Sequence, residues 1–588
     1  MKKLIIILLS VFTLIMMSNF NLKASPTIYS NYINGKNAGS NLIYEPTLIL
    51  ELNDLNELND VANKNITSVI LKLDKDMKIH VGSVTYPMDE FFDTYIKGKY
   101  IPIFTLDKSN CDEFINHYKT VYSIYDSMII SNDLEVIGKV YKDSSTYILN
   151  SIYDMREVKL PDDRYANWEY VKECNKVGCN ILFVNSNDLN IRIFSEYVEA
   201  MTKVCWAYTT SKLECIEAIS NGSLGIVGIH SNDLVEGIRV YSKSGWQMPQ
   251  YLAAHRGITK YCNENSLTSC MAAYSEGATH IEIDLQVLAD GNVVLCHNSQ
   301  TNFNSDKNGW YFVNVLLENL QKAHLNDYNV NYDETYSTVE ELLDNILKTD
   351  IIIIFELKFD NGSKVAVDDL ACIENFKRII DSNPLAYGHF YTITFFAPLA
   401  EKMKELMPEV PIGYLGGAKS GKETTLNQTA WQAGGGHKEM MDYAGKIKFL
   451  RHYNIGLDES YIYANTSGQY YSNLTAQTYL AHGYVQNTWT YDDLRNFANK
   501  TIVATSNKVE DCAYLIKSFD DDTLLTKEDV NLGKKIVKTY TYNGWQRELE
   551  CEIIKVNEDS QNIQVLLYYY EEASTPYGLY SRLINVKK

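Results

Sequence analysis

From about residue 46 the chain alternates short β-rich runs with amphipathic stretches whose apolar residues recur every three or four positions. The β-rich runs are Thr47–Leu52, Ser68–Leu73, Tyr100–Leu106, Ser127–Ser131, Ser145–Leu149, Asn180–Asn185, Val204–Tyr208 and Leu224–Ile229. Segments of helical period, such as Cys111–Tyr118 and Trp168–Val177, lie between them. Strand and helix in strict alternation, about eight times over, predict a parallel sheet with crossover helices. Over this length the natural closure is a (β/α)8 barrel.

The pattern then restarts. Tyr251–His255, His280–Val287, Asp350–Lys358, His389–Phe395, Val410–Leu415, Gly483–Thr490 and Thr501–Ser506 are the predicted strands of a second barrel. Thr47–Asn53 aligns with Tyr251–Gly257, Val69–Asp74 with Thr279–Asp284, Ile101–Asp107 with Ile352–Lys358, and Trp206–Thr209 with Trp489–Asp492. The offset grows along the chain, as two insertions in the second half near 299–337 and 416–446 would make it do. The halves therefore read as a diverged tandem duplication. After about residue 521 the period changes to two: Lys535–Tyr542, Glu548–Val556 and Asn562–Tyr570 alternate apolar and polar residues around turn residues, predicting antiparallel strands. The expected fold class is α/β, with tandem TIM-type barrels over 27–245 and 249–520 and a small antiparallel β module over 521–588.

The N-terminus differs from all of this. Lys2 and Lys3 precede an apolar run from Leu4 to Met17, and small or apolar residues follow at Leu22–Ala24. This is the pattern of a signal peptide over 1–24, which predicts a secreted protein. No later segment is long and apolar enough to span a bilayer. The eleven cysteines are scattered without a framework spacing; Cys174 and Cys179 are the one local pair. Most read as small buried hydrophobes. A formal charge of −20 argues against nucleic acid as a partner and leaves any phosphate chemistry to local cations or a metal.

The chemistry concentrates between His255 and His297. His255-Arg256-Gly257 closes a strand, and Asn263-Glu264-Asn265-Ser266 opens the next helix. Glu282 and Asp284, two apart on one strand, share a face that can point into the mouth of a barrel. Glu356 ends the apolar run Ile351–Phe355, with Lys358 two residues beyond. Carboxylates facing one another in a barrel repel and are costly to desolvate, and a divalent cation removes both penalties. Hard oxygen ligands suit Ca²⁺ or Mg²⁺. His255 and His297 offer a proton acceptor and a donor that titrate near neutrality, and Arg256 and Lys358 can bind phosphate oxygens.

As an ordered set, HRG, ENS, E-x-D-x-Q, the Asp290-Gly291 turn and the following His297 resemble the opening signature of the glycerophosphodiester phosphodiesterases. Thr338–Leu343, Phe355–Lys358, Phe395-Phe396-Ala397, Pro411–Leu415 and Trp489-Thr490 resemble later blocks of that family. The resemblance implies a (β/α)8 barrel that hydrolyses sn-glycerol-3-phospho-alcohols to glycerol 3-phosphate and an alcohol. It implies His255 and His297 as the acid/base pair, and Glu282, Asp284 and Glu356 as ligands of one Ca²⁺ or Mg²⁺. It implies Arg256 and Lys358 as phosphate contacts, Glu264 as support for the metal or for His255, and Trp489 as a pocket wall or a core residue. Asn298 departs from the family's usual Asp. The substrate would be a small glycerophosphodiester or a glycerol-phosphate polymer, and the oligomeric state is left open. Two other readings remain: an exported, non-catalytic glycerophosphate- or wall-polymer-binding protein, and a phospholipase D-like or phosphoinositide-cleaving enzyme on a similar barrel.

The first barrel lacks the set. It carries Glu51 where the second has His255, Leu52 for Arg256, Lys72 for Glu282, Thr105 for Glu356 and Asp107 for Lys358, and of the acidic residues only Asp74 has a counterpart, Asp284. It is expected to be catalytically inert and to serve as a scaffold or a polymer-binding module.

Overall fold

A computed structural model of the chain describes residues 46–416 with short breaks, 453–458, parts of 481–489, 502–510, and parts of 528–587. The predicted signal peptide and the insertion at 417–446 lie outside the described residues. Ten strands make the first sheet: β1 (Thr47–Glu51), β2 (Ile66–Leu73), β3 (Lys78–Val81), β4 (Val84–Pro87), β5 (Ile101–Thr105), β6 (Met128–Ser131), β7 (Asn150–Asp154), β8 (Ile181–Asn185), β9 (Val204–Thr209) and β10 (Gly225–Gly228). Eight are parallel, and β1 pairs with both β2 and β10, which closes the ring; β3 and β4 extend β2 as an antiparallel hairpin.

The second ring repeats the plan. Its strands are β11 (Tyr251–His255), β12 (His280–Val287), β13 (Val293–Leu295), β16 (Ile352–Leu357), β17 (Phe390–Thr394), β18 (Ile412–Gly416), β19 (Tyr453–Asp458), β20 (Gln486–Trp489) and β21 (Val503–Ser506), while the short pair β14 (His324–Leu325) and β15 (Glu334–Thr335) belongs to the insertion. Closure again comes from the first strand, β11, which pairs with β12 and β21. A four-stranded antiparallel sheet, β22 (Lys535–Tyr542), β23 (Trp545–Glu558), β24 (Asn562–Tyr569) and β25 (Ser581–Lys587), ends the chain.

Among the parallel strands of the two rings, two depart from expectation, and the hairpin β3–β4 and the last strand β25 were not predicted. The predicted run Ser145–Leu149 lies outside the described residues, and the ring is filled instead by the next five, Asn150–Asp154. Asn150 is a poor strand former, but here its Oδ1 accepts from Ser151 N at 2.8 Å and its Nδ2 donates to Gly483 O at 3.3 Å. The sixth strand of the second ring, β19, was not predicted because Asn454 and Gly456 interrupt its apolar run.

The barrels meet base to base. On the second ring each residue at the junction starts a strand or lies just before one, and most of their partners on the first lie in the helices Trp168–Lys176 and Ile191–Ala200. Tyr251 Oη donates to Glu196 O at 3.0 Å, His280 Nε2 to Ala200 O at 3.0 Å, Tyr197 Oη to Gly388 O at 2.8 Å, and Asn175 Nδ2 to Val410 O at 2.8 Å. Tyr165 stacks on His389 with ring centroids 4.3 Å apart. The inward residues Tyr251, Ala253, Ile352, Ile354, Tyr391, Ile393 and Val503 of the second ring consequently join the core of the first in one apolar cluster. The outward residues of the same strands, such as Ile281, Ile283, Ile353 and Phe355, form a separate layer under the second ring's helices. Strand mouths, where parallel barrels carry their chemistry, therefore open at opposite ends of the molecule.

Candidate active site

β11 delivers His255 to the mouth of the second barrel, and the chain then turns sharply through Arg256 (φ 60°) and Gly257 (φ 78°). A Cβ on Gly257 would lie 2.4 Å from Ser269 Oγ and 2.6 Å from its carbonyl carbon, so only glycine fits. The close neighbour is the helix Leu267–Glu276, whose N-cap Ser266 forms a reciprocal capping box with Ser269. That cap fixes the preceding loop. Glu264 Oε2 accepts from Arg256 Nη1 at 2.9 Å, while Asn265 donates from Nδ2 to Asp284 Oδ2 and accepts at Oδ1 from Asp284 N, both at 3.0 Å.

β12 alternates His280, Glu282, Asp284 and Gln286 with Ile281, Ile283, Leu285 and Val287, so its polar face points inward. Register sets Asp284 level with Glu356 on β16. Glu282, Asp284 and Glu356 are all buried, and one carboxylate oxygen from each lies within 4.8 Å of the others. Burial first, and the Asp284 charge second, raise Glu282 and Glu356 to about 8. Burial also opposes ionisation of Asp284, but Lys358 and Arg256 outweigh it and hold Asp284 below its ordinary range. Lys358 Nζ lies 3.3 Å from Asp284 Oδ1, and Arg256 Nε 3.3 Å from Asp284 Oδ2. Glu282 Oε1 is buried with no hydrogen-bond partner. Such an orphaned oxygen beside two more carboxylates suits a hard divalent cation.

The return strand β13 brings His297 to the same mouth, held there as Cys296 N donates to Asp284 O at 2.9 Å and Gln286 Nε2 to His297 O at 3.2 Å. Each histidine meets an amide. His255 Nδ1 is 2.7 Å from Asn507 Oδ1, and His297 Nδ1 is 3.0 Å from Asn298 Oδ1. His255 Nε2 lies 3.9 Å from Glu282 Oε2. Burial lowers the pKa of both rings; Arg256 adds to this at His255, and at His297 Arg256 and Lys358 do so against the pull of Asp284.

His255, Arg256, Glu264, Glu282, Asp284, His297, Glu356 and Lys358 are thus brought to one mouth. Trp489 is the last residue of β20, on the same ring, and its side chain lies outside the described residues. Asn265 and Asn507 were not singled out from the sequence. Asn265 stood within the quoted ENS motif and has φ 54°, a conformation that asparagine tolerates better than most residues. Asn507 carried no signal.

The first barrel's mouth is built otherwise, and its register corrects the alignment of the halves. Leu52 N donates to Ile70 O where Arg256 N donates to Glu282 O. Ile70, not Lys72, therefore stands in the place of Glu282; Lys72 replaces Asp284, and Asp74 falls level with Gln286. The slip of two residues keeps every side chain on its face, so the hydrophobic pattern alone could not reveal it. Asp74 pairs with His80 at 2.7 Å in the exposed hairpin. At the mouth the Arg156 guanidinium pairs with Glu51 at 3.0 Å and Asp154 at 2.7 Å, between the rings of Phe183 and Tyr208 at 4.8 and 5.0 Å. The Arg156 guanidinium thus sits against Glu51, the counterpart of His255, and the three carboxylate places are taken by Ile70, Lys72 and Thr105.

Comparison with known proteins agrees with this geometry. The family model described as the Glycerophosphoryl diester phosphodiesterase family matches residues 255–498. Glycerophosphodiester phosphodiesterase 1 of Mus musculus is 26% identical over 156 residues, 26% of this chain and 44% of that protein. A glycerophosphodiester phosphodiesterase of Caldanaerobacter subterraneus is 27% identical over 116 residues, 19% of this chain and 46% of that protein. The chain thus spans less than half the length of these curated relatives. A solved Oleispira antarctica phosphodiesterase in complex with the product sn-glycerol-3-phosphate is 21% identical with a TM-score of 0.35, covering 47% of this chain and 99% of that one. The second barrel carries the region of similarity to phosphoric diester hydrolases. Residues 255–498 are thus similar to the glycerophosphoryl diester phosphodiesterase family.

Proposed function

We propose that the protein is a secreted, metal-dependent phosphodiesterase that hydrolyses glycerophosphodiesters to glycerol 3-phosphate and an alcohol. The observation that carries this reading is the gathering of three buried carboxylates and two histidines, each histidine at an adjoining strand end, at one barrel mouth. Glu282, Asp284 and Glu356 would hold one Ca²⁺ or Mg²⁺, which when bound offsets the carboxylate charge and polarises a phosphoryl oxygen. Arg256 and Lys358 reach the same pocket and are suited to the non-bridging phosphate oxygens. With Nδ1 of each ring turned to an amide, Nε2 is the nitrogen left for chemistry. One histidine, neutral, takes the proton of the attacking hydroxyl or water at Nε2 as the P–O bond forms; the other, protonated at both nitrogens, gives its Nε2 proton to the departing alcohol as its P–O bond breaks.

The substrate class is a small glycerophosphodiester or a glycerol-phosphate polymer. Residues 1–24 support export, and the Arg156-filled mouth of the first barrel supports a scaffolding role for that half. The test is release of glycerol 3-phosphate from several glycerophosphodiesters by the purified protein, with and without chelator. Binding of glycerol 3-phosphate without turnover of any diester would instead favour the non-catalytic reading.

A further inference from the structure

We infer that Asn507 is a positioning residue for His255, and that the two histidines are held by a matched pair of amides rather than by carboxylates. The inference rests on the phosphodiesterase reading only for its kinetic consequence; its geometry stands apart from it. β21 is the strand that closes the second barrel, and its pairing of Ser506 with Ala254 sets Asn507 level with His255, 252 positions away in sequence. Asn507 Oδ1 lies 2.7 Å from His255 Nδ1. An amide oxygen can only accept, so this contact requires the proton on Nδ1 and, in the neutral ring, leaves Nε2 with its lone pair. That nitrogen faces Glu282, at 3.9 Å, and the carboxylate cluster beyond it.

Asn298 does the same for His297 from the neighbouring position in the chain, at 3.0 Å. One amide is local and the other arrives only when the ring closes, yet both leave the ring in the same tautomer. A carboxylate in either place would favour the doubly protonated imidazolium, whereas an amide fixes orientation and tautomer without adding charge. This is a neutral way to present two Nε2 atoms to one pocket already crowded with acidic groups. It also makes the second barrel's closure a condition for orienting its first histidine.

The experiment uses the full chain and reads tautomer and turnover separately. With ¹⁵N-labelled histidine, the His255 ring is assigned by difference against His255→Gln. In the unaltered protein it is expected to carry its proton on Nδ1. Asn507→Leu should shift the ring to the Nε2–H form or a mixture, and should lower kcat by about 10- to 100-fold with KM nearly unchanged, the loss typical of a partner that orients a reacting group. Asn507→Asp keeps an acceptor and should keep a proton on Nδ1, with Nε2 protonated or not. It also provides the comparison if the leucine variant does not fold. An Nδ1–H ring persisting in Asn507→Leu overturns the proposal, and so does a shifted tautomer with unaltered kcat. A ring without a proton on Nδ1, in either the unaltered protein or Asn507→Asp, overturns it equally. Should no diester be turned over at all, the tautomer alone decides, so failure of the functional reading is told apart from failure of this one.

Discussion

Lys358 Nζ sits 2.5 Å from Glu356 Oε1, so a lysine covers a carboxylate that the metal reading needs as a ligand. Excess EDTA is expected to abolish turnover, and Ca²⁺ or Mg²⁺ to restore it. The same ions should raise the melting temperature, because a ligand that binds only the folded state stabilises it. Undiminished turnover in EDTA, with no metal found by mass spectrometry, would sink the metal assignment.

His255→Ala and His297→Ala should each lower kcat by roughly 10²- to 10⁴-fold, the usual contribution of general acid–base catalysis. Their melting curves should stay close to that of the parent, since both rings lie at the mouth and outside the apolar clusters. A variant with near-parental turnover would remove that histidine from the mechanism.

Asn298→Asp should hold or raise turnover. The carboxylate keeps the acceptor that now meets His297 Nδ1 at 3.0 Å and restores the residue usual in the family. A steep fall in kcat would mean that the site is built around the amide.

His280 predicts a pH dependence of stability rather than of activity. Its ring is fully buried at the base of the second barrel, and burial brings its pKa to about 4 from an ordinary 6.5. The folded state thus binds its proton less readily than the unfolded one. Its stability is whole above pH 6.5 and is lost as pH falls towards 4, by on the order of 2 kcal/mol at pH 5. Calorimetry at pH 7 and pH 5 should show a smaller drop in melting temperature for His280→Gln than for the parent. Equal drops would acquit this histidine.

Residues 27–245 alone should neither hydrolyse diesters nor bind a divalent metal tightly. A chain beginning at residue 249 should aggregate or melt early, because Tyr251, His280 and Tyr391 would lose the surface on which they are packed. Full stability and activity of that shorter chain on every substrate tried would refute the scaffolding role.

Much of this was legible in the residues. The apolar run of β16 and the alternation of β12 identify strands directly, and the spacing of Glu282 and Asp284 by itself places both on one face. Legibility stopped where tertiary contact overrode local preference. Asn150 opens a strand because Gly483 and Ser151 satisfy its amide, and nothing in its neighbours announces that. The pairing of Lys72 with Glu282 erred by two residues, since period-two patterns are blind to even shifts. Asn507 meets His255 only through closure of the ring, and no motif marks such a partner.

The base-to-base junction also bears on how the molecule is made. The first barrel is complete in sequence before the second leaves the ribosome, and domains synthesised first generally fold first. The later barrel then closes on a floor that already exists, one that includes the carbonyls of Glu196 and Ala200. With one apolar cluster running through both rings, heating should melt them in a single cooperative step rather than in two. The half expected to be inert would in that case act as a template that stays attached.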